Sequence, residues 1–370
     1  MGVSGMKNTF GHSVSVTLFG ESHGSEIGAV IDGLAPGIEI DEEYIASRLA
    51  LRRPAGKIST SRVEKDEFRI VSGVFNGRTT GAPLCIIIPN ANTNSADYES
   101  TRALARPSHA DYTAYEKYHG FEDYRGGGHF SGRLTAPLVA AGTIAQTALA
   151  KKGIVLGTHI SRCAGVDDRK FDDIKKDIEY LSTAAFPVLD GEAGEKMTEK
   201  ILKAAEDGDS VGGVLECAVL GMPAGVGEPF FDSVESVLSH ALFSIPAVKG
   251  VQFGDGFALA DMRGSEANDA MCVENGRRIT KTNHSGGVCG GITNGMPIVF
   301  SVCVKPTPSI FKTQQTVDFI KGENAEITIS GRHDPAIVHR ARAVVDAMTA
   351  LTLCDLLALR YGTDFFGGEK

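Results

Sequence analysis

Apolar residues occupy every second position of SVSVTLF (13–19), the period of a half-buried strand, and IGAVIDG (27–33) carries a second such run after a glycine-bearing break. The two segments predict an antiparallel pair. EFRIVSGVF (67–75) and APLCIIIP (82–89) predict two more strands, joined by the turn-rich NGRTTG. Helical spacing begins at Asp41, a capping residue, and runs through DEEYIASRLALRR (41–53). DYTAYEKYHG (111–120) predicts a short helix ending in glycine. Thr135–Lys152, rich in Ala and Leu and stopped by Gly153, predicts the main helix of the first half. Charged residues dominate 166–210, as in surface helices and loops. Beyond them, SVGGVLECAVLGMPAGVGEP (210–229) predicts a strand and a glycine-rich turn, SVESVLSHALFSI (233–245) is amphipathic, and IVFSVCV (298–304) is a strand. Residues 335–362 predict a long C-terminal helix.

Strands that neighbour each other in sequence, with poor strand–helix alternation, point to an α+β fold rather than a doubly wound parallel sheet. EIGAVIDGLAPGI (26–38) echoes SVGGVLECAVLGMPAGV (210–226), and SHGSEIG (22–28) echoes NHSGGVCGG (283–291), which suggests an old duplication. No low-complexity linker divides the chain, so one domain over residues 6–370 is expected. Residues 1–5, MGVSG, precede a second methionine and read as an alternative start or an expression remnant.

The chain has 370 residues, 42% hydrophobic and 22% charged, as in a globular protein, and no apolar run approaches the ~20 residues of a membrane helix. Seven cysteines without a CxxC pair argue for reduced thiols in the cytoplasm, against a disulfide framework and against a zinc site. A net charge of −9 excludes a global basic field for nucleic acid. Anion binding must then come from local clusters, and ALRRPAGK (50–57) and RGGGHFSGR (125–133) are such clusters.

RGGGHFSGR precedes a predicted helix start, where free N–H groups and the helix dipole favour an anion, and Arg125 and Arg133 bring forked donors. It is neither a P-loop nor a dinucleotide fingerprint. The same residues also suit a solvated turn capped by Ser131 or Thr135. In GESHG (20–24), an extended chain would point Ser22 and His23 to opposite faces, which disfavours a nucleophile pair and suits His23 as a proton donor or as an ordinary turn histidine. RPSHAD (106–111) puts His109 in a loop with Asp111 as an orienting or capping group. In GRHDP (331–335), Asp334 and Pro335 look like a helix cap and first helical residue, with Arg332 and His333 beside them. NHSGGVCGG and KPTPS (305–309) add a glycine loop and Lys305, Thr307 and Ser309, which suit phosphate or a ring carbonyl. No histidine spacing matches a metal motif. The residues alone describe loops that gather on an anionic small molecule, and they do not name a reaction.

GESHGSEIGAVIDGLAPG (20–37), GGHFSGRLTAPLVAAGTI (127–144) and RHDPAIVHRARAVVDAM (332–348) resemble the three signature stretches of the chorismate synthase family, in order. RRP (52–54), RPSHADYT (106–113), MPAGVGEP (222–229), AVKGVQFGDGF (247–257), NHSGGVCGGITNG (283–295) and KPTPSI (305–310) match between them, so the resemblance spans Met6 to the C-terminus. It implies a β-α-β sandwich with helices between antiparallel sheets and a homotetramer. It also implies an anti-1,4-elimination of phosphate and a ring proton from 5-enolpyruvylshikimate 3-phosphate, giving chorismate, with reduced FMN and no net redox change.

The resemblance assigns His23 as proton donor to the leaving phosphate, His109 as the residue beside the flavin, and Asp334 as proton acceptor with flavin N5. Arg53, Arg133 and Arg332 would bind substrate, with Ser22 and Ser131 tuning them. Flavin contacts would come from Arg52, Lys57, His129, Phe130, Ser131, Ala247, Gly290, Lys305, Pro306, Thr307, Pro308, Ser309 and Arg332. NADPH would enter only as a source of reductant, and the chain's length suggests an external flavin reductant. The chain departs from the family pattern GRSSARET at His129, Phe130 and Leu134, from RPGHAD at Ser108, and ends its last signature in Asp346 instead of glutamate. Two other readings of the same residues are a flavin-dependent oxidoreductase, which would consume reductant in proportion to product, and a non-catalytic FMN-binding protein.

Overall fold

A computed structural model describes residues 7–54, 56, 58–59, 65–90, 102–329, 331 and 333–367. Two five-stranded sheets, antiparallel throughout, face each other across a helical layer. In spatial order the first sheet runs Thr9–Phe10, Ser15–Gly20, Glu26–Asp32, Leu84–Pro89, Arg69–Ser72. The second runs Val248–Phe253, Ile298–Val304, Gly213–Leu220, Val155–Cys163, Val166–Asp167.

Helices Thr135–Ala150 and Val338–Tyr361 form the inner layer. Thirteen of the first helix's 16 residues are buried, so it has no polar face to give to water, as a helix covered all round requires. Its Gly142 makes the close crossing. A Cβ there would lie 2.4 Å from Ala347 Cα. Further along, Ala145 O accepts from Cys354 Sγ at 3.6 Å. Contacts thus advance in the same direction on both helices, which run parallel with their N-termini at one end. One apolar core joins both sheets to this layer, from Ile27, Ile31 and Ile86 through Ile144 and Val345 to Phe300 and Val302.

Each sheet is built by the same succession: two strands, a helix, a strand, a small hairpin, a strand and an inner helix. The first set is 15–20, 26–32, 42–52, 69–72, 74–79, 84–89 and 135–150; the second is 155–163, 213–220, 234–243, 248–253, 288–293, 298–304 and 338–361. The echo between 26–38 and 210–226 falls on the central strand of each sheet and its following turn. Gly33 and Gly37 (φ +79° and +89°) correspond to Gly221 and Gly225 (both φ +94°), conformations that glycine adopts without a Cβ penalty.

A buried threonine clamps each turn. Thr79 Oγ1 donates to Ala35 O (2.6 Å) and accepts from Ile38 N (2.9 Å), while Thr79 N and O pair with Ile38 O and Gly37 N (both 2.8 Å). Thr293 Oγ1 donates to Pro223 O (2.6 Å) and accepts from Val226 N (2.9 Å), while Thr293 N and O pair with Val226 O (2.9 Å) and Gly225 N (2.8 Å). The second echo does not survive. Residues 22–28 lead into a central strand and 283–291 into a hairpin, so they hold different places in the repeat.

Two predicted elements are displaced. The strand expected over 67–75 is broken at Gly73 (φ +83°), where a Cβ would lie 2.5 Å from Leu84 Cα; Val74–Phe75 turns away to pair with Arg78–Thr79. The C-terminal helix begins at Val338, after Ile337, so Asp334 and Pro335 are not its cap and first residue. Pro335 O is instead taken by Val211 N at 2.8 Å, which holds that segment against the second sheet.

Candidate active site

Every predicted site residue that the structure describes, except Gly290, sits on the segments entering or leaving one end of the two repeats. In the first half these are the 20–26 turn, the end of helix Glu42–Arg52, the segment after Pro89 and the loop before Thr135. The second half contributes Ala247, the segment after Val304 and the approach to Val338. Lys57 and Arg332 lie outside the described residues.

Residues 125–130 form a tight turn in which Gly126, Gly127 and Gly128 are left-handed (φ +60°, +83° and +51°). The reason is local crowding. A Cβ on Gly126 would lie 2.2 Å from His23 Cε1, and one on Gly128 would lie 2.0 Å from Asp123 O. The glycine loop is therefore the floor on which the His23 ring lies. Ser22 and His23 form a turn, not an extended pair, and the expectation of opposite faces fails. Ser22 Oγ lies 3.2 Å from His23 Nδ1. The serine proton still does not serve a nucleophile, because Ser22 Oγ donates to Arg125 O (3.2 Å) and Gly126 O (3.1 Å). Ser22 N bonds Gly128 O (3.1 Å), and His129 Nδ1 bonds Gly20 O (2.8 Å), locking the two loops together. The second bond needs a protonated Nδ1, since a carbonyl only accepts.

Ser131 caps a short turn, Gly132–Leu134, that feeds the inner helix, and its Oγ accepts from Arg133 N at 3.3 Å. Phe130 is partly exposed and its ring meets Tyr118 edge-on at 6.0 Å. Arg125 does not offer a free fork. Asp123 takes Nε and Nη2 at 2.8 Å each, and that pairing holds the Asp123 carboxyl below its usual range.

Three arginines converge on one carboxylate that sequence patterns did not single out. Asp66, buried and at φ +48°, accepts from Arg52 Nη1 at 3.0 Å and from Arg133 Nη1, with Arg53 Nε at 3.9 Å. Arg52 is only 5% exposed and also donates to Thr135 Oγ1 (2.9 Å) and Gly132 O (3.4 Å), so it ties one helix end to the start of another. Asn90 was missed as well. Its Oδ1 accepts from Arg133 Nε (3.2 Å), and its Nδ2 donates to Glu21 O (2.9 Å) and Gly24 O (3.0 Å), joining the arginine cluster to the His23 turn. Neither residue belongs to a periodic pattern. Their only sequence signal is a polar residue beside a strand end.

The second cluster surrounds His109. Its Nε2 lies 2.8 Å from Ser309 Oγ. Burial first, then the charges of Arg106, Lys305 and His333, against Asp111, push its pKa down to about 4, so the ring is neutral at neutral pH. Asp111 does not orient His109; it grips Arg106 through Nε (2.8 Å), Nη2 (2.6 Å) and the backbone N–H (2.9 Å). Lys305 Nζ donates to Ser108 O at 2.5 Å, and burial, with Lys249 nearby, lowers its pKa. Ser108 itself is left-handed (φ +60°), the conformation for which a glycine would be expected. Lys305 N bonds Ala247 O at 3.0 Å, and Ala247 is also left-handed (φ +74°). Thr307 Oγ1 is buried without a partner among the described residues, and Thr307 O accepts from Ser210 Oγ at 2.6 Å. Pro306 packs beside Gly212, and Pro308 O accepts from Gln314 Nε2 at 3.5 Å. Asp334 is buried and takes Arg340 Nη2 at 2.7 Å.

Three contacts tie this end together. Gly127 lies against Arg106, its Cβ position 3.9 Å from Nη2. His109 meets Ser309 across the two halves, and Ser59 Oγ meets His339 Nε2 at 2.7 Å in the first turn of the C-terminal helix. Gly290 stands apart in the turn of the hairpin Val288–Thr293, and its neighbour Gly291 packs on Glu228 and Ser233.

The family model for chorismate synthase matches residues 14–358. Among curated relatives, a chorismate synthase of Thermococcus gammatolerans is 48% identical over 351 residues, covering 95% of this chain and 97% of the relative. One from Aeropyrum pernix is 46% identical over 355 residues, covering 96% and 93%. One from Dehalococcoides mccartyi is 46% identical over 360 residues, covering 96% and 98%. A crystal structure of chorismate synthase superposes with a TM-score of 0.74 at 28% identity, over 95% of this chain and 94% of that one.

Proposed function

The chain belongs to the chorismate synthase family, lyases of aromatic amino acid biosynthesis, and from that premise we propose how its own residues divide the work. The reaction is the 1,4-elimination of phosphate and a ring proton from 5-enolpyruvylshikimate 3-phosphate. One C–O bond and one C–H bond break, a C=C bond forms, and the products are chorismate and phosphate.

The reading rests on the junction of the two halves at one end, where His109 meets Ser309 and Ser59 meets His339. Arg53 and Arg133, with Arg332, hold the phosphate and carboxylates of the substrate. Asp66 fixes the Arg133 and Arg52 forks in advance, so little reorganisation is left for binding. His23, laid on the glycine floor, gives a proton to the departing phosphate, an effect typically worth about 10²–10⁴ in rate. Asp334, positioned by Arg340, takes up the ring proton. Ser22 and Ser131 hold the His23 turn and the Arg133 backbone.

The second cluster suits a flavin. Thr307 Oγ1 is a buried polar atom lacking a partner among the described residues, and Lys305 and the Gly126–Gly128 backbone are donors that a phosphate or ring carbonyl can meet. Residues Arg52, Lys57, His129–Ser131, Ala247, Lys305–Ser309 and Arg332 would hold it, with neutral His109 beside it. Reduced FMN bound there would supply a transient electron to the elimination, with no net redox change. NADPH serves only indirectly, through an external reductase.

We place the enzyme in the cytoplasm as a homotetramer of one domain over residues 6–370. The seven cysteines form no disulfide, and no described helix is long and apolar enough to cross a membrane. The test is an anaerobic assay with photoreduced FMN on wild type, His23→Ala and Asp334→Asn. Both variants should lose turnover at least about 100-fold while FMN affinity changes less than about threefold. Ordinary turnover in both would remove these roles.

A further inference from the structure

Asn90 follows the last residue of strand Leu84–Pro89, where the first sheet runs out into the site. Its backbone N–H extends the sheet by one bond, to Ser25 O at 3.0 Å, which fixes its Cα beside the 20–26 turn. From there its half-buried side chain reaches two ways. Oδ1 accepts from Arg133 Nε (3.2 Å), and Nδ2 donates to Glu21 O (2.9 Å) and Gly24 O (3.0 Å). The partners settle which way round the amide stands. An arginine Nε only donates and the two carbonyls only accept, so a flipped amide would lose all three bonds.

The two carbonyls bracket Ser22 and His23. Gly24 N bonds Glu21 O at 3.0 Å and closes the turn, and the amide clips both ends of that turn from outside. The bonds from Ser22 to Gly128 O, Arg125 O and Gly126 O run instead to the glycine floor. The Arg133 guanidinium, for its part, is held at each nitrogen: Nη1 by Asp66, Nε by Asn90 and Nη2 by Pro89 O at 3.3 Å. The floor thus sets the height of the His23 ring, and residues 89–90 set its turn relative to the guanidinium. In the elimination, one phosphate must meet both groups. Proton transfer to it needs a heavy-atom separation of about 2.6–3.2 Å. A misplacement of about 1 Å costs on the order of 10²-fold in rate.

We propose that Asn90 is a positioning residue of this elimination: by clipping the turn that carries His23 to the guanidinium of Arg133, it sets the proton donor at bonding distance from the phosphate that Arg133 holds. The inference rests on the roles given above to those two residues. Asn90 itself transfers no proton; it acts through His23.

The test is a double-mutant cycle on the full chain loaded with photoreduced FMN. It reads the single-turnover rate of phosphate release at saturating 5-enolpyruvylshikimate 3-phosphate. Asn90→Ala should lower that rate at least about tenfold in the wild-type background and less than about twofold beside His23→Ala, because misplacing a donor matters only while the donor is there. Asn90→Asp is the second variant. It keeps an acceptor for Arg133 Nε but sets an oxygen against the two carbonyls, so its rate should fall as with Asn90→Ala and be masked in the same way by His23→Ala. A merely structural role would lower the rate by the same factor in both backgrounds. That result, or an unchanged rate in either Asn90 variant while His23→Ala is impaired, would overturn this inference and leave the proposed function standing. Ordinary turnover in His23→Ala would remove the role of His23 and overturn both.

Discussion

In the first half Thr79 ties Ala35 to Ile38, and in the second Thr293 ties Pro223 to Val226, through the same set of four hydrogen bonds. The segments leading into the two inner helices are unlike. The first passes through three left-handed glycines that floor the His23 ring, and the second through His333 and Asp334, the latter held by Arg340. Duplication thus kept the contacts that fold each half and let the mouths diverge. Where both mouths meet, one half brings a histidine and an arginine cluster, and the other brings a carboxylate, a lysine and hydroxyls.

The largest expected effect comes from breaking the glycine floor. Gly126→Ala puts a Cβ into the His23 ring, and the ring is the softer partner, so it moves. Turnover should fall at least about 100-fold, while stability falls by about 1–2 kcal/mol from the left-handed alanine. Steady-state kinetics beside urea unfolding would check this. Unchanged turnover would mean that the position of His23 does not matter.

The clamps should respond alike. Thr79→Val and Thr293→Val each leave a buried N–H and a buried C=O without partners, at about 2–4 kcal/mol apiece. Denaturant unfolding should give equal losses to within about 1 kcal/mol. A larger gap would show that the two turns are equivalent only in shape.

A smaller effect sharpens the contrast between the sheets. Fully buried His159 lies between Asp168 Oδ2 (2.8 Å) and Glu216 Oε2 (3.0 Å), whereas the matching position of the first sheet sets Phe19 opposite Gly28. Burial opposes the charge on His159, but the bonds to Asp168 and Glu216 outweigh it and raise the pKa above 6.5. A raised pKa stabilises the fold fully below pH 6.5, and that contribution is lost as pH rises through the raised value. Stability should therefore decline on the alkaline side by about 1–2 kcal/mol, the worth of a charge-assisted bond. Unfolding midpoints of wild type and His159→Gln across pH 5–9 would read this, and the variant should show a flatter profile.

The smallest effect is at Ser108, which holds a left-handed φ of +60°. Ser108→Gly removes about 1–2 kcal/mol of strain and gives back most of it as chain entropy, a net gain of about 0.5 kcal/mol. A net loss would mean that the serine side chain makes a compensating contact.

Period-2 and helical patterns located the strands at 13–19, 27–33, 82–89 and 298–304 and the inner helix from Thr135, because each buries one face or all of its surface. The central-strand echo revealed the duplication because glycines at positive φ repeat with the turn. Ser22 beside His23 misled, since adjacent residues were given extended geometry and the chain turns there. Asp66 and Asn90 were illegible for a different reason. Each acts through a partner distant in sequence or fold, and nothing in local composition marks an aspartate that will gather three arginines. Asp355 is similar. It sits in the C-terminal helix and accepts from His12, Ser13 and Val14 N–H at 2.7–3.0 Å, a tie no window of sequence contains.

The central claim is that this junction performs an elimination in which electrons are lent and returned. The measurement is the number of chorismate molecules formed anaerobically per electron supplied, with phosphate release followed in the same cuvette. The account predicts one phosphate per chorismate over many turnovers, with the flavin still reduced at the end. Product limited to one equivalent of reductant, or flavin oxidised in step with substrate loss, would contradict it.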